Sequence, residues 1–352
     1  MRPLAEYIWM DGGSEDSKVQ HLRSKTRVIE GSGGNPANIE QFPEWGFDGS
    51  STNQSDGEDS DLILKPVRFV RDPVRGVEGN FLVLCEVMNA DGTPHESNTR
   101  ARLSAVLKEG AEKHDPWFGF EQEYTMFRGR TPLGWPEHGS PSRAQGPFYC
   151  GVGADEVAGR KLVEAHLQAC LQANLLIYGI NAEVMLGQWE FQIGYRGFEG
   201  ESGNPLLVSD HLLFARWLLF RLGEDFGISS TLDCKPERGD WNGAGCHTNF
   251  STNGMRDKET GSRVISEAIT KLEPVHRQHI AEYGEGLEAR LTGKHETCSI
   301  HEFKAGAANR KASIRIPRHV QTQGYGYIED RRPGANCDPY RVAARLLKTV
   351  CL

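Results

Sequence analysis

The sequence lacks the features that define several common classes of protein. No run of about 20 apolar residues occurs, so no membrane-spanning segment is predicted, and the first residues hold no apolar stretch of the kind a secretory signal needs. The eight cysteines form no Cys-x-x-Cys pair. Their wide spacing argues against a zinc ribbon or a disulfide framework and favours reduced thiols in the cytoplasm.

Excess positive charge is also missing. The 352 residues include 40 Lys and Arg against 48 Asp and Glu, a net charge of -8. Binding to nucleic acid or to an anionic membrane is therefore not expected. The sequence contains neither Gly-x-x-x-x-Gly-Lys-Ser/Thr nor Gly-x-Gly-x-x-Gly, so any nucleotide site is neither a P-loop nor a Rossmann crevice.

The length and the order of predicted elements indicate two domains. Residues 5–10 and 81–88 have the composition of strands, whereas residues 31–61 are rich in Gly, Ser, Asn and Asp and are predicted to be mostly loop. We place the boundary near residue 95, which divides the chain into residues 1–95 and 96–352.

Helices are predicted in the second domain from apolar spacing and end signals. They comprise a helix capped by Asn98, helices around 162–173 and 209–226, one near 262–283 that Pro274 kinks or divides, and a last one that begins at Asp338-Pro339.

Paired acids mark two of the predicted strands. Glu121 and Glu123 are two residues apart in Trp117–Tyr124, so they share one strand face. Such like charges are tolerated on a wet surface or where a cation lies between them.

A second acidic pair flanks a predicted hairpin. If Gly187-Gln188 is a two-residue loop, Met185 faces Glu190, and Glu183 lies diagonal to Glu190 on the same face. Apolar neighbours predict that this hairpin is largely buried, where unpaired carboxylates are costly and a divalent cation is a suitable partner.

His247 and Glu329 complete the candidate metal ligands. His247 lies in a Gly-rich segment, and Glu329 begins a Glu-Asp-Arg-Arg run. Glutamates with one histidine suit Mg²⁺ or Mn²⁺ better than Zn²⁺. Each motif alone also has an ordinary explanation: a solvated strand face, a hydrogen-bonded core histidine, or a surface ion-pair cluster.

Arginines are dense between residues 290 and 332. Their planar forks match carboxylate and phosphate oxygens, although for any single arginine ion pairing with the surplus acids is the better explanation. The polar, Gly-bearing segment 291–297 reads either as a mobile lid or as an ordinary exposed loop.

Taken together, these segments resemble the type II glutamine synthetases. The matching stretches occur in the family's order and span nearly the whole chain: residues 45–52, 117–124, 181–192, 242–251, 290–297, 309–318 and 326–333. The resemblance implies an α+β fold with a small N-terminal β-grasp domain and a larger catalytic α/β domain. It also implies a homodecamer of two pentameric rings, with each active site between neighbouring subunits.

The resemblance further implies ATP-dependent ligation of ammonia to glutamate through a γ-glutamyl phosphate, with Mg²⁺ or Mn²⁺ as cofactor. The implied metal ligands are Glu123, Glu183 and Glu190 near glutamate and ammonia, and Glu121, His247 and Glu329 near the ATP phosphates. The implied glutamate-binding residues are Asn242, Gly243, Arg290, Arg310 and Arg331, and those for ATP are Trp117 and Arg315. The implied catalytic residues are Arg310, the lid carboxylate Glu296, and Asp48 of a neighbouring subunit, which accepts a proton from ammonium.

One departure keeps other functions open. Residues 195–209 look longer than the family pattern and follow Glu190 closely, so a ligase for a larger amine is an alternative. A non-catalytic assembly protein is a second alternative, but such a chain is expected to have lost several of these acids and arginines.

Overall fold

The protein is described by a computed structural model that covers residues 2–14, 16–17, 19–30, 38–76, 78–141, 143 and 145–352. Its strands are β1 Leu4–Met10, β2 Leu22–Val28, β3 Trp45–Asp48, β4 Asp61–Arg71, β5 Asn80–Met88, β6 Trp117–Arg128, β7 Thr131–Pro132, β8 Ile177–Ala182, β9 Gln188–Gly194, β10 Ser229–Thr231, β11 Cys246–Ser251, β12 Ala305–Ala307, β13 Ile314–Ile316 and β14 Ile328–Asp330.

Its α-helices are α1 Thr99–Glu109, α2 Arg160–Gln172, α3 Pro205–Phe226, α4 Asn253–Arg256, α5 Gly261–Leu272, α6 His276–Ile280, α7 Leu287–Arg290, α8 Arg318–Gln323 and α9 Pro339–Val350. Short 3₁₀ helices span Ile39–Gln41, Ser50–Thr52 and Ala111–His114. Among the described residues, no helix combines the length and the apolar character needed to cross a membrane.

The first sheet has the strand order β2-β1-β5-β4-β3. Strands β1 and β5 are parallel, and the other neighbours are antiparallel. The predicted strands at 5–10 and 81–88 are confirmed as β1 and β5. Every residue of β5 except Glu86 is buried, which explains why its apolar composition was so marked.

The prediction of a mostly irregular 31–61 segment is wrong at Trp45–Asp48, which forms β3 and pairs with β4. Two aromatic residues explain the strand: Phe47 is buried and its ring lies 5.1 Å from that of Trp9. Residues 31–37 lie outside the described residues.

The connection between the two sheets contains the predicted domain boundary. Strand β5 ends at Met88 and α1 begins at Thr99, so residue 95 falls in the link, and the boundary itself stays a prediction. Asn98 caps α1 as expected, because its side chain accepts a hydrogen bond from the backbone N–H of Ala101 at 3.0 Å.

The second sheet has the order β12-β13-β14-β11-β6-β9-β8, and β10 and β7 also pair with β6. Helices α2, α3 and α9 correspond to predicted helices. Pro274 divides its predicted helix into α5 and α6. Helix α3 starts at Pro205 rather than near Ser209, because Asn204 caps the N–H groups of Leu206 and Leu207 and proline occupies the first helical position.

The predicted register of the β8–β9 hairpin is wrong. Asn181, not Met185, lies opposite Glu190, and a turn closes through the hydrogen bond from Gln188 N–H to the Met185 carbonyl at 2.9 Å. Gly187 occupies the third turn position with φ +89°, which a glycine adopts without strain. Glu183 nevertheless remains diagonal to Glu190 on the same face, because the partner of Glu190 shifts by an even number of residues, from Met185 to Asn181.

Asp210 of α3 joins the two sheets through a fully buried carboxylate. It accepts hydrogen bonds from Arg68 of β4 at 2.5 Å, Arg100 of α1 at 2.8 Å and the Tyr340 hydroxyl of α9 at 2.6 Å. Burial alone would raise the pKa of Asp210, but the two guanidiniums outweigh burial and hold it below its usual range.

We therefore predict that Asp210→Asn lowers the free energy of unfolding by about 3–5 kcal/mol, since two guanidiniums lose a buried anionic partner. A urea titration of the intact protein measures the change. Asp225→Asn, which removes a largely exposed partner of Arg221, is the control and should leave the midpoint almost unchanged. Equal midpoints for both variants would contradict the prediction.

Candidate active site

Strand register alone brings the predicted acids to one face of the second sheet. On the central strand β6, Glu121 lies opposite His247 of β11, and Glu123 lies opposite Glu190 of β9. Directly opposed residues in a ladder project to the same side. The other face of β6 is core, where Phe120, Gln122 and Tyr124 are fully buried.

The side chains form two groups with the spacing of metal ligands. Glu123, Glu183 and Glu190 each present an oxygen within 4.8 Å of the others, and Glu121, Glu190 and His247 form an equivalent set. Glu190 belongs to both groups. Carboxylate oxygens, alone or with one imidazole nitrogen, are suitable ligands for a hard divalent cation.

Crowding of these carboxylates shifts their protonation. Burial, together with the neighbouring charge of Glu123, raises the pKa of Glu183 to about 8. Burial and then the charges of Glu121, Glu183 and Glu123 raise the pKa of Glu190 well above its ordinary value. Burial also raises the pKa of Glu123, partly offset by Arg290. A cation among them would favour the charged forms again.

Amide side chains that the sequence analysis missed orient these acids. Asn181 donates to Glu183 at 3.0 Å, and Asn249 donates to Glu121 at 2.9 Å. Gln192 donates both to Asn181, at 2.7 Å, and to Glu190. Asn181 and Gln192 are each two residues from the acid that they orient, so each shares a strand face with it. This spacing could have revealed both amides from the sequence.

Glu329 is held differently from the other acids. It accepts hydrogen bonds from Arg331, at 2.6 Å, and from Arg315. Its carboxylate also lies 3.7 Å from Nδ1 of His247, which is 3.6 Å from Glu121. In this structure the guanidiniums balance its charge, so its role as a metal ligand stays a prediction.

The Gly-rich segment before His247 makes room for Arg290. A Cβ atom on Gly245 would lie 2.2 Å from the Arg290 guanidinium, and one on Gly243 would lie 2.8 Å from its side-chain carbons. Arg290 is thereby buried, and it donates to Nε2 of His247 at 3.1 Å and to the Arg331 carbonyl at 3.2 Å. These glycines therefore admit a cationic side chain rather than only a ligand.

The acids and arginines line a single cleft of about 650 Å³. Thirteen of the predicted site residues contribute to its wall: Glu121, Glu123, Glu183, Glu190, Asn242, Gly243, His247, Arg290, Glu296, Arg310, Arg315, Glu329 and Arg331. Tyr149, Tyr178 and His295 line it too, and the sequence analysis did not single them out.

The predicted lid segment contributes His295, Glu296 and Thr297 to the wall of this cleft. Glu296 is 3.6 Å from Arg310, and its carbonyl accepts from Arg331 at 3.3 Å. His295 and Glu296 both adopt left-handed backbone conformations, with φ +48° and +59°. Such conformations cost about 1–2 kcal/mol per residue outside glycine, so surrounding contacts must hold this bend in place.

Trp117 lies outside the cleft, in an adjoining hollow of about 390 Å³. Its ring is 4.6 Å from that of Tyr195, and the Arg256 guanidinium lies 4.5 Å from its centre. Tyr178 borders both spaces. The hollow presents aromatic faces, including that of Tyr327, and few charges.

Asp48 is likewise not among the described residues that line the cleft. It is exposed at the end of β3, where it accepts hydrogen bonds from the Ser50 and Ser51 hydroxyls at 2.6 and 2.7 Å. These bonds lower the pKa of Asp48 to about 2, so it stays ionised at neutral pH.

Comparison with known proteins agrees with this architecture. Residues 4–90 match the β-grasp domain of glutamine synthetase. The chain is 54% identical to a chloroplastic glutamine synthetase of Chlamydomonas reinhardtii over 98% of its own length and 90% of that protein's length. It is 53% identical to a glutamine synthetase of Streptomyces viridochromogenes, over 99% and 96% of the two lengths.

A glutamine synthetase of Xenopus laevis is 51% identical, over 98% of this chain and 85% of the relative. Similarity of this extent, shared by eukaryotic and Streptomyces proteins, shows that the chain belongs to the glutamine synthetase family. The predicted family and the α+β fold with an N-terminal β-grasp domain are confirmed.

The raised pKa values predict a metal affinity that depends on pH. Protonated carboxylates do not bind cations, so Mn²⁺ affinity should rise between about pH 6 and about pH 8 with release of protons. Calorimetry in two buffers of different ionisation enthalpy measures both quantities. The exposed Glu224→Gln variant serves as a control that retains this behaviour, whereas an affinity independent of pH would contradict the prediction.

Proposed function

We propose that this protein is a glutamine synthetase that joins ammonia to the side-chain carboxylate of glutamate, with ATP converted to ADP and phosphate. The convergence in one cleft of all six predicted metal ligands, five glutamates and His247, together with several arginines, is the observation that supports it most strongly. A carboxylate reacts poorly with an amine, whereas a γ-glutamyl phosphate has a good leaving group. This reaction therefore requires a site for phosphate next to a site for glutamate.

Two divalent cations, Mg²⁺ or Mn²⁺, fit the donor sets. We assign Glu123, Glu183 and Glu190 to one, and Glu121, His247 and Glu329 to the other, although Glu190 rather than Glu329 completes the three-atom group with Glu121 and His247. A bound cation supplies charge neutralisation for the anionic phosphoryl group. Because Glu190 belongs to both three-atom groups, we expect its loss to affect both positions.

The arginines divide between the two anionic substrates. Buried Arg290 and Arg331, with Asn242 and Gly243, lie where a glutamate could be held by charge-assisted hydrogen bonds. We assign to Arg315 and half-exposed Arg310 the neutralisation of charge on the moving phosphoryl group. The hollow lined by Trp117 offers aromatic faces on which an adenine ring can stack.

Asp48 requires a second copy of the chain in this proposal. Its carboxylate is ionised, exposed and outside its own cleft, as expected for a group that serves the cleft of a neighbouring subunit in a decamer of two pentameric rings. There its charge would attract ammonium, and accepting the ammonium proton would require its pKa to rise from about 2 in the assembled site. A cytoplasmic location stays a prediction, since one relative is named for the chloroplast.

The structure weakens the argument for a larger amine as substrate. Within residues 195–204, Tyr195 borders the aromatic hollow, and none of these residues lines the cleft. The segment is instead folded on itself by an ion pair between Arg196 and Glu201. We therefore expect it to influence the nucleotide end of the site rather than the choice of amine.

A turnover assay tests the function directly. Purified protein with Mg²⁺, ATP and glutamate should release phosphate and form glutamine when ammonium is added, and larger amines should not replace it. Glu190→Ala should lower glutamine formation by more than about 100-fold. Loss of a residue that only orients a metal ligand already lowers metal affinity or activity by about 10- to 100-fold. Wild-type turnover in that variant, with exposed Glu224→Ala as control, would reject the ligand assignment.

The lid carboxylate predicts a second, different defect. Glu296→Ala should leave ATP binding largely intact but allow more of the acyl phosphate to react with water, because the lid excludes water. The number of glutamine molecules formed per ATP consumed should fall. An unchanged ratio would show that Glu296 does not protect the intermediate.

A further inference from the structure

His295 lies where three loops meet above the cleft. Its Nε2 is 2.9 Å from the Asp240 carboxylate, and its Nδ1 accepts a hydrogen bond from the Gln145 side chain. With the amide nitrogen of Gln145 facing Nδ1, a ring hydrogen on Nε2 would face Asp240. The ring is only 19% exposed, whereas Asp240 is 89% exposed. Solvent screens the Asp240 contact, so the Gln145 contact is expected to contribute more.

The two partners of His295 belong to segments that are anchored elsewhere. Next to Gln145, the Gly146 N–H donates to the Val184 carbonyl at 2.8 Å, adjacent to Glu183. Next to Asp240, the Trp241 ring packs 4.5 Å from the Trp135 ring. Neither of these contacts includes a residue of the lid. The segments that contain Gln145 and Asp240 are therefore held independently of the lid.

The base of the lid is held by contacts separate from those of His295. Thr292 and Ser299 form a bridge, and the Thr297 hydroxyl donates to the Arg290 and Lys294 carbonyls. Between these contacts, His295 and Glu296 both have a left-handed backbone conformation. At the tip, the Glu296 carboxylate lies 3.6 Å from the Arg310 guanidinium.

We propose that His295 is a positioning residue that fastens the tip of the lid and thereby fixes Glu296 over the cleft. This inference rests on the proposed function for its effect on catalysis, but the restraint itself is a property of the folded chain. Through its contacts with Gln145 and Asp240, His295 thereby limits how much of the acyl phosphate is lost to water.

Two substitutions separate the side-chain contacts from the backbone bend. Glycine adopts the left-handed conformation without strain but has no imidazole, whereas asparagine tolerates that conformation and keeps a donor and an acceptor. His295→Gly should therefore lose the restraint, and His295→Asn should retain part of it. Gln145→Leu removes the inner partner at similar volume and should resemble His295→Gly. His301→Asn, at an exposed histidine in the next turn, is the matched control.

Two measurements on the intact protein decide the matter. Amide hydrogen exchange in residues 291–299 should be about two- to tenfold faster in His295→Gly, the range expected for loss of one hydrogen bond. Exchange in the sheets should not change. Glutamine formed per ATP consumed should fall in the order wild type, Asn, Gly, while the KM for ATP stays within about twofold of wild type.

Other outcomes would overturn the inference. His295→Gly with wild-type exchange and wild-type coupling would mean that only the backbone conformation matters. Faster exchange throughout the chain would indicate general destabilisation instead of a local restraint. If wild-type protein forms no glutamine, the proposed function fails, and the exchange of residues 291–299 still decides whether His295 fastens the loop.

Discussion

The mutual repulsion of Glu123, Glu183 and Glu190 is the interaction that the surrounding structure has to oppose. Their oxygens lie within 4.8 Å of one another in a buried space. The strand ladders set their positions, because a ladder fixes which side chains face each other. The amides of Asn181 and Gln192 orient them, and buried Arg290 supplies compensating positive charge.

The same strand that carries two of the acids is also the centre of the core. Gln122, between Glu121 and Glu123, accepts a hydrogen bond from buried Arg216 of α3 at 2.8 Å and donates to the Ala335 carbonyl at 3.0 Å. Helix α3 is in turn tied to the N-terminal sheet through Asp210. Packing on one side of β6 thus limits movement of the acids on its other side.

Period-two patterns in the sequence were sufficient to predict much of the site. They placed Glu121 with Glu123 and Glu183 with Glu190 on common faces, and family resemblance supplied the partners on other strands. The register of the hairpin could not be predicted from this pattern. A loop at Gly187-Gln188 and the observed turn from Met185 to Gln188 both leave Glu183 and Glu190 on the same face. The short strand β3 was hidden by its Gly and Asp residues, since burial of Phe47 depends on contacts distant in sequence.

The contribution of loops was predicted least well. His295 was not singled out, because its partners Gln145 and Asp240 are far along the chain. Residues on strands, in contrast, are constrained by local periodicity.

The alternation along β6 also has a consequence for how this chain can change in evolution. Insertion or deletion of one residue between Trp117 and Tyr124 would exchange the two sides of the strand, turning acids into the hydrophobic interior and aromatic rings into the cleft. A substitution in β6 changes one side chain at a time, whereas a change of length reverses several side chains at once. Length variation should therefore concentrate in connections such as residues 195–204.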